Sequence, residues 1–114
     1  MSTMIGRGSR VYFDVSSYYD YTSQYMLYAA YVSPDGGLSL SDKVLATDYW
    51  GSLLDGHGTT AYVAVGGAVA RYDFTEQGAL IDLTETMGYP ESMRFGTDAA
   101  WVLLGYSGVM KLPL

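Results

Sequence analysis

The chain has 114 residues, of which 49% are hydrophobic and only 16% are charged, a balance that fits one folded domain and excludes a disordered chain. Its formal charge is −6 and its six Lys and Arg residues never cluster, which argues against a surface that tracks nucleic-acid phosphates. It contains no cysteine, which excludes a disulfide framework and a thiolate metal site.

The strand signals along the chain are short, evenly spaced and bounded by turn residues. In chain order the predicted strands are 10–15, 25–32, 43–46, 50–54, 60–65, 69–74, 79–83, 91–95, 99–104 and 109–114. Gly66 and Gly67 separate two of these strands and predict a tight hairpin turn with at least one positive φ. One segment, 80–88, has an alternative as a helix, because three of its apolar residues are spaced at i, i+3 and i+7.

The chain also repeats itself at intervals near 40 residues. Four short strands in each period are typical of β-propeller blades, whereas the alternative is an ordinary antiparallel sandwich. The aligned pairs are Tyr12 with Tyr62, Tyr62 with Trp101, Tyr31 with Tyr72 and Arg71 with Lys111, at offsets of 50, 39, 41 and 40.

The segment "TTAYVAVGGAVARYDFTEQGALIDLT", residues 59–84, resembles one blade of the bacterial β-propeller repeats that include the YVTN type and related secreted propeller domains. Tyr62 and Val63 match the aromatic-Val pair of the second strand, and Val69, Tyr72 and Asp73 match the third strand. The resemblance implies an all-β chain of antiparallel, four-stranded blade-like repeats. Their approximate limits are 8–49, 50–90 and 91–114. It implies no particular function, since propellers host many unrelated activities.

On this alignment the predicted strands make about two and a half blades, with the opening strand of the first repeat and the closing strand of the third repeat missing. Closed propellers have four to eight blades, and open sheet edges promote aggregation. We therefore expect a homo-oligomer of two or three copies, a piece of a larger propeller, or a smaller all-β unit. The candidate interface residues lie in the first and last predicted strands, which are the candidate pairing edges. They are Val11, Phe13, Val109, Met110 and Leu112.

Half of the twelve tyrosines fall within residues 16–31. The alignment offset rises by nine between the second and third strands of the first repeat, which predicts that 16–24 is an insertion that lengthens a hairpin. Tyrosine next to serine offers a large contact area at low entropic cost, as in binding loops. The alternative is a hairpin that packs on a neighbouring chain. The candidate ligand-binding residues at its tip are Tyr18, Tyr19, Asp20 and Tyr21.

Little in the sequence points to catalysis. His57 is the only histidine and Asp55 precedes it by two residues, but a metal site needs three or four convergent donors. A nucleophile motif such as G-x-S-x-G is absent, and the acidic residues form neither a calcium loop nor a fixed carboxylate pair. We expect no catalytic residue, no metal and no cofactor. Trp50 and Trp101 lie within strand signals and are predicted to belong to the core.

Two classes of function follow from these patterns. The first is a non-catalytic structural or protein-interaction module, whose partner is another copy of the chain or the rest of a larger propeller. The alternative is a module that binds a small ligand or a glycan with the tyrosine-rich hairpin. Neither nucleic acid nor a membrane is an expected partner, since apolar runs such as 99–105 are far too short to cross a bilayer. The first ten residues lack the apolar region of a secretory signal.

Overall fold

The computed structural model describes residues 4–19, 22–40, 44–47, 51–74 and 79–113. At positions 7, 16–19, 22–24, 38, 40, 44–47 and 79 it describes the backbone only. The described residues form three antiparallel sheets and one 3₁₀ turn, Gly105–Ser107. The prediction of an all-β antiparallel fold is confirmed.

Each sheet is built from strands that follow one another in the chain. Sheet 1 has the order β1-β2-β3-β4, with β5 also paired to β3, sheet 2 has the order β6-β7-β8-β9, and sheet 3 has the order β10-β11-β12. The strands of sheet 1 are β1 (Met4–Arg7), β2 (Arg10–Tyr19), β3 (Thr22–Val32), β4 (Leu38–Leu40) and β5 (Val44–Thr47). Those of sheet 2 are β6 (Gly51–His57), β7 (Thr60–Val65), β8 (Ala68–Asp73) and β9 (Ala79–Glu85). Those of sheet 3 are β10 (Ser92–Phe95), β11 (Ala99–Leu103) and β12 (Val109–Pro113).

Two-residue glycine turns join the first two strands of sheets 1 and 2. Gly8 and Gly58 begin these turns with φ values of 63° and 59°. Gly66 begins the turn between β7 and β8 with φ of 58°, so the predicted hairpin at Gly66 and Gly67 is confirmed. A left-handed φ at the first loop position gives a twist that matches the twist of the paired strands, and glycine adopts it without steric cost.

Two interpretations of the strand pattern are wrong. Sheet 1 does not lack its opening strand, because β1 pairs antiparallel with β2 along its whole length. Four residues are too few to show an alternating pattern, and the Gly8 turn is the only local signal for this strand. The helical alternative over 80–88 is also wrong, because most of that segment belongs to β9, which pairs with β8.

The predicted match of Tyr31 with Tyr72 is wrong by one residue. Arg10 and Thr60 are equivalent, because each begins the second strand of its sheet. Arg10 pairs with Tyr31 and Thr60 pairs with Asp73, so Tyr31 corresponds to Asp73 and not to Tyr72. The insertion in the first hairpin therefore adds eight residues rather than nine, four to each strand. An unbroken hairpin ladder must lengthen by equal amounts on both sides, and a slip of one residue moves every side chain to the other face.

The three sheets stack face to face, with sheet 2 in the middle. One buried cluster lies between sheets 1 and 2, and it contains Tyr12, Tyr25, Leu27, Ala29, Leu53, Ala61, Val63, Ala70, Tyr72 and Phe74. A second cluster lies between sheets 2 and 3, and it contains Tyr62, Val69, Met93, Ala100, Val102, Leu104 and Leu112. Sheet 2 has a neighbouring sheet on both faces, whereas each end sheet presents one face to a neighbour and one face outward. The edge strand β9 of sheet 2 also carries apolar side chains in water, since Leu80, Ile81 and Leu83 are between 48% and 57% exposed. The outward faces of the end sheets are the two faces that no described sheet covers.

Candidate functional site: the two outer sheet faces

The tyrosine-rich hairpin is a continuous two-stranded ladder. β2 and β3 pair from Arg10 with Tyr31 as far as Tyr19 with Thr22, so the backbone of Tyr18 and Tyr19 lies near the end of the ladder. The side chains of these two residues, and all of Asp20 and Tyr21, lie outside the described residues. The ligand-binding role of the hairpin tip stays a prediction.

His57 and Asp55 have separate environments. His57 is exposed at the end of β6, and its ring packs on Phe95 of sheet 3 with 4.9 Å between ring centroids. Asp55 is buried and accepts a hydrogen bond of 2.8 Å from the Gly56 backbone N–H. Across the described ranges, no group of three or more His, Cys, Asp and Glu residues is placed to hold a metal ion. No helix in that part of the chain is long and apolar enough to cross a membrane.

A buried carboxylate joins sheets 1 and 2. Asp14 Oδ2 accepts a 2.6 Å hydrogen bond from the Tyr25 hydroxyl and a 2.9 Å hydrogen bond from the Leu53 backbone N–H. Burial raises the pKa of Tyr25 well above its usual range, and the hydrogen bond to Asp14 raises it further, so Tyr25 keeps the proton that it donates. This group is a structural connection rather than a site, since its partners leave the carboxylate only 2% exposed.

Asp14 was not among the predicted site residues, because the acidic residues of the chain are scattered along the sequence. One signal was present in the strand itself. Asp14 is two residues after Tyr12, so both face the same side of β2, and an aspartate on a core-facing side needs partners.

The outward face of sheet 3 is apolar, and we call it the rear face. It carries Trp101, Leu103 and Val109, which are 46%, 42% and 62% exposed. Leu103 pairs with Val109 across the two strands, so these side chains are adjacent. Trp101 was predicted to be core, and this prediction is wrong. The strand pattern correctly places it on an apolar face, but the described residues include no sheet that covers that face.

Two cations border the apolar part of the rear face. Arg94 and Lys111 both pair with Trp101, one on each neighbouring strand. The Lys111 ammonium lies 5.7 Å from the centroid of the Trp101 ring, within the range of a cation–π contact. Long basic side chains of this kind can keep their charge in water while their stems cover apolar surface.

The outward face of sheet 1 is also apolar, and we call it the front face. Phe13 and Tyr28 form a stacked pair on it, with ring centroids 5.0 Å apart and planes 7° apart. Strand alternation puts every second residue of these strands on the same face, while Tyr25, Leu27, Ala29 and Tyr31 face sheet 2. Its described members are Met4, Gly6, Val11, Phe13, Val15, Met26, Tyr28, Ala30 and Val32.

The five candidate interface residues do not lie on one surface of the structure. Val11 and Phe13 lie on the front face, and Val109 lies on the rear face. Met110 and Leu112 point the other way and pack into the cluster between sheets 2 and 3 of the same chain, so these two are not available to a partner. The first predicted strand is not an edge either, because β2 lies between β1 and β3.

Depressions in the described surface do not form an enclosed ligand site. One cavity, of about 60 Å³, is well below the roughly 300–1,000 Å³ of typical ligand pockets, and it is lined by Val69, Arg71, Asp82, Thr84, Leu112 and Pro113. A shallow depression of about 420 Å³ has no charged side chain in its lining, which consists of Gly51, Ser52, Ala64, Gly66, Tyr89 and Pro90. Both lack the combination of enclosure and convergent polar groups that orients a ligand.

Comparison of the chain with protein-family models, with curated proteins and with solved structures finds no match.

Proposed function

We propose that the chain is a non-catalytic structural or protein-interaction module built from propeller-type repeats. It acts by packing its end sheets against other sheets of the same kind. The observation that supports this proposal is the rear face, where Trp101, Leu103 and Val109 are between 42% and 62% exposed on one surface. Soluble monomers rarely expose contiguous apolar patches larger than a few hundred Å², and such patches mark interaction sites.

The physical reason is the cost of leaving such faces in water. Each buried side chain of this size stabilises a structure by about 1.5–3 kcal/mol relative to exposure. The total stability of a domain is only about 5–15 kcal/mol, so covering two apolar faces changes the balance substantially. Aromatic residues are also the ones enriched at the centres of protein interfaces.

Light scattering of the chain at micromolar concentration tests this proposal. We expect a mass that is a multiple of the 12.4 kDa of one chain. Val109→Lys, which puts a charge on the rear face, should reduce the mass to that of one chain while the circular dichroism spectrum stays that of a β protein. Met87→Lys is the matched control, because Met87 is 91% exposed but follows sheet 2 and lies on neither outer face. A wild-type chain that is a stable, folded monomer at this concentration contradicts the proposal.

A further inference from the structure

The interface between sheets 1 and 2 contains an aromatic ring whose Cδ2–Cε2 side lies against a glycine. Tyr12 is fully buried, and a Cβ placed on Gly56 of β6 would lie 2.4 and 2.5 Å from Cδ2 and Cε2 of its ring. Real Cβ atoms do not approach ring carbons this closely, so the ring fits only because residue 56 is glycine. The Tyr12 hydroxyl then donates a 2.5 Å hydrogen bond to the Gly58 carbonyl oxygen.

The same aromatic position recurs in all three sheets. Tyr12, Tyr62 and Trp101 are each the third residue of their sheet's second strand, and they pair with Ile5, Asp55 and Arg94 of the first strand. Their exposure is 0%, 2% and 46% in that order. In the first two sheets the ring is covered by the next sheet along the chain. Tyr12 meets Gly56 there, and Tyr62 meets Phe95, the residue at the same register position in the next sheet. Trp101 is the third aromatic residue of this series, placed where the described chain supplies no next sheet.

The glycine half of the contact is present at the other end of the stack. Gly56 pairs with Ala61, and in sheet 1 the residue at the same register position is Gly6, which pairs with Val11. A Cβ placed on Gly6 would meet no atom within 4 Å, so the front face has room above this position. The chain thus carries an exposed aromatic ring on its rear face and, on its front face, a glycine with space at its Cβ position.

These two halves cannot meet within one chain. Sheets 1 and 3 pack on opposite faces of sheet 2, so Trp101 and Gly6 lie at opposite ends of the three-sheet stack. A second copy can supply the missing half, because the rear face of one copy continues the same stacking order when it meets the front face of another.

We propose that two copies associate head to tail, with Trp101 of each copy packed on Gly6 of the other. This inference rests on the proposed function and names the partner as a second copy of this chain. A two-fold pair forms both contacts at once and closes a ring of six sheets, whereas three copies would give nine. Rings of blade-like sheets close with about four to eight units, which favours the dimer. Arg94 and Lys111 pair with Trp101 from the two neighbouring strands, and long basic side chains can cover apolar surface with their stems while their charges stay in water.

Two variants remove the two halves separately. Trp101→Ala removes the ring, and Gly6→Leu fills the space that the ring would occupy. Each should weaken the dimer by at least about 30-fold, the effect of losing an interface hot spot of about 2 kcal/mol. In the single chain the Trp101 side chain is partly exposed and a side chain at Gly6 would meet no atom within 4 Å of its Cβ, so the β-type circular dichroism spectrum should persist. Tyr106→Ala is the matched control, because Tyr106 is a fully exposed aromatic residue in the 3₁₀ turn, and it should leave the dimer unchanged.

Mixing the two variants tests the head-to-tail arrangement. Trp101→Ala keeps an intact front face and Gly6→Leu keeps an intact rear face, so an equimolar mixture should form a heterodimer with one intact contact. Analytical ultracentrifugation should detect this heterodimer at concentrations where each variant alone is monomeric. An arrangement in which Trp101 packs on Trp101 predicts no effect of Gly6→Leu and no rescue on mixing.

The outcomes separate this inference from the proposed function. A monomeric wild-type chain overturns both. A wild-type assembly that persists in Trp101→Ala and in Gly6→Leu overturns the head-to-tail contact and leaves the proposed function standing, with another packing of the end sheets as the mode of assembly. A wild-type mass of three chains overturns the closed dimer.

Discussion

The interface between sheets 1 and 2 and the interface between sheets 2 and 3 bury apolar residues by different means. Across the first, directional hydrogen bonds run from one sheet to the other. Asp14 accepts from the Leu53 backbone N–H. The Tyr12 hydroxyl donates to the Gly58 carbonyl oxygen in the turn between β6 and β7, and the Tyr31 hydroxyl donates to the Phe74 carbonyl oxygen just after β8, at 2.5 and 2.6 Å. Arg10 lies 4.6 Å from the Tyr31 ring centroid and donates to the same carbonyl, that of Phe74.

The second interface is made mainly of shape-complementary apolar side chains. Tyr62 meets Phe95 edge to face at 5.4 Å, and Met93 and Val102 fill the space beside them. Its charged pair, Arg71 and Asp82, lies at the rim, with side chains 28% and 42% exposed. We expect the first interface to be held in one position by directional hydrogen bonds that must all be satisfied, whereas the second is held by non-directional apolar contacts. Three substitutions sharpen this contrast.

Asp14→Ala should have the largest effect. It leaves the Tyr25 hydroxyl and the Leu53 N–H buried without their acceptor, and each orphaned group costs about 1–3 kcal/mol. We expect the free energy of unfolding in urea to fall by about 2–6 kcal/mol, a large share of the total for a domain of this size. Asp98→Ala is the control, since Asp98 is exposed in a turn of sheet 3. Equal stability of the two variants would show that the buried carboxylate does not hold sheets 1 and 2 together.

How far the sequence predicted the fold depends on whether a feature is local. The strand at 25–32 and the Gly66 turn were predicted from local patterns, and both are confirmed. The opening strand β1 was missed because four residues show no period. The one-residue error between Tyr31 and Tyr72 arose because sequence similarity alone does not require the two sides of a hairpin to lengthen equally.

The candidate site was predictable in part for the same reason. Strand alternation places Val11, Phe13 and Val109 on apolar faces, but it does not tell which face the chain covers with its own next sheet. Trp101 was therefore assigned to the core, although its face is exposed. The contacts of Asp14 depend on Leu53, which is 39 residues away, and pairing at this distance has no local signal.

Gly56→Ala should have an intermediate effect. Its new methyl group would overlap the Tyr12 ring at 2.4 Å, and both the ring and the β6 backbone are buried. Overpacking of this kind costs about 1–3 kcal/mol, so we expect a moderate fall in the urea midpoint. Gly67→Ala is the matched control, because its nearest contact would be the Thr86 carbonyl oxygen at 3.9 Å. If Gly56→Ala is as stable as Gly67→Ala, sheet 2 moves away from Tyr12 without cost, and the first interface is not rigid.

Asp82→Asn should have the smallest effect, because it changes only the rim of the second interface. The hydrogen bonds from Arg71 lower the pKa of Asp82, and burial opposes this shift. A group whose pKa is lower in the folded chain stabilises the fold above its unfolded pKa, near 4, and loses that contribution as the pH falls through the folded value.

Partly exposed pairs contribute only about 0.2–1 kcal/mol after solvent screening. We expect a difference of that size between wild type and Asp82→Asn in urea unfolding at pH 7, reduced by added salt and lost progressively below about pH 4. A difference that persists unchanged at pH 2, where the carboxyl group is protonated, would mean that Asp82 supports the second interface by packing rather than by charge.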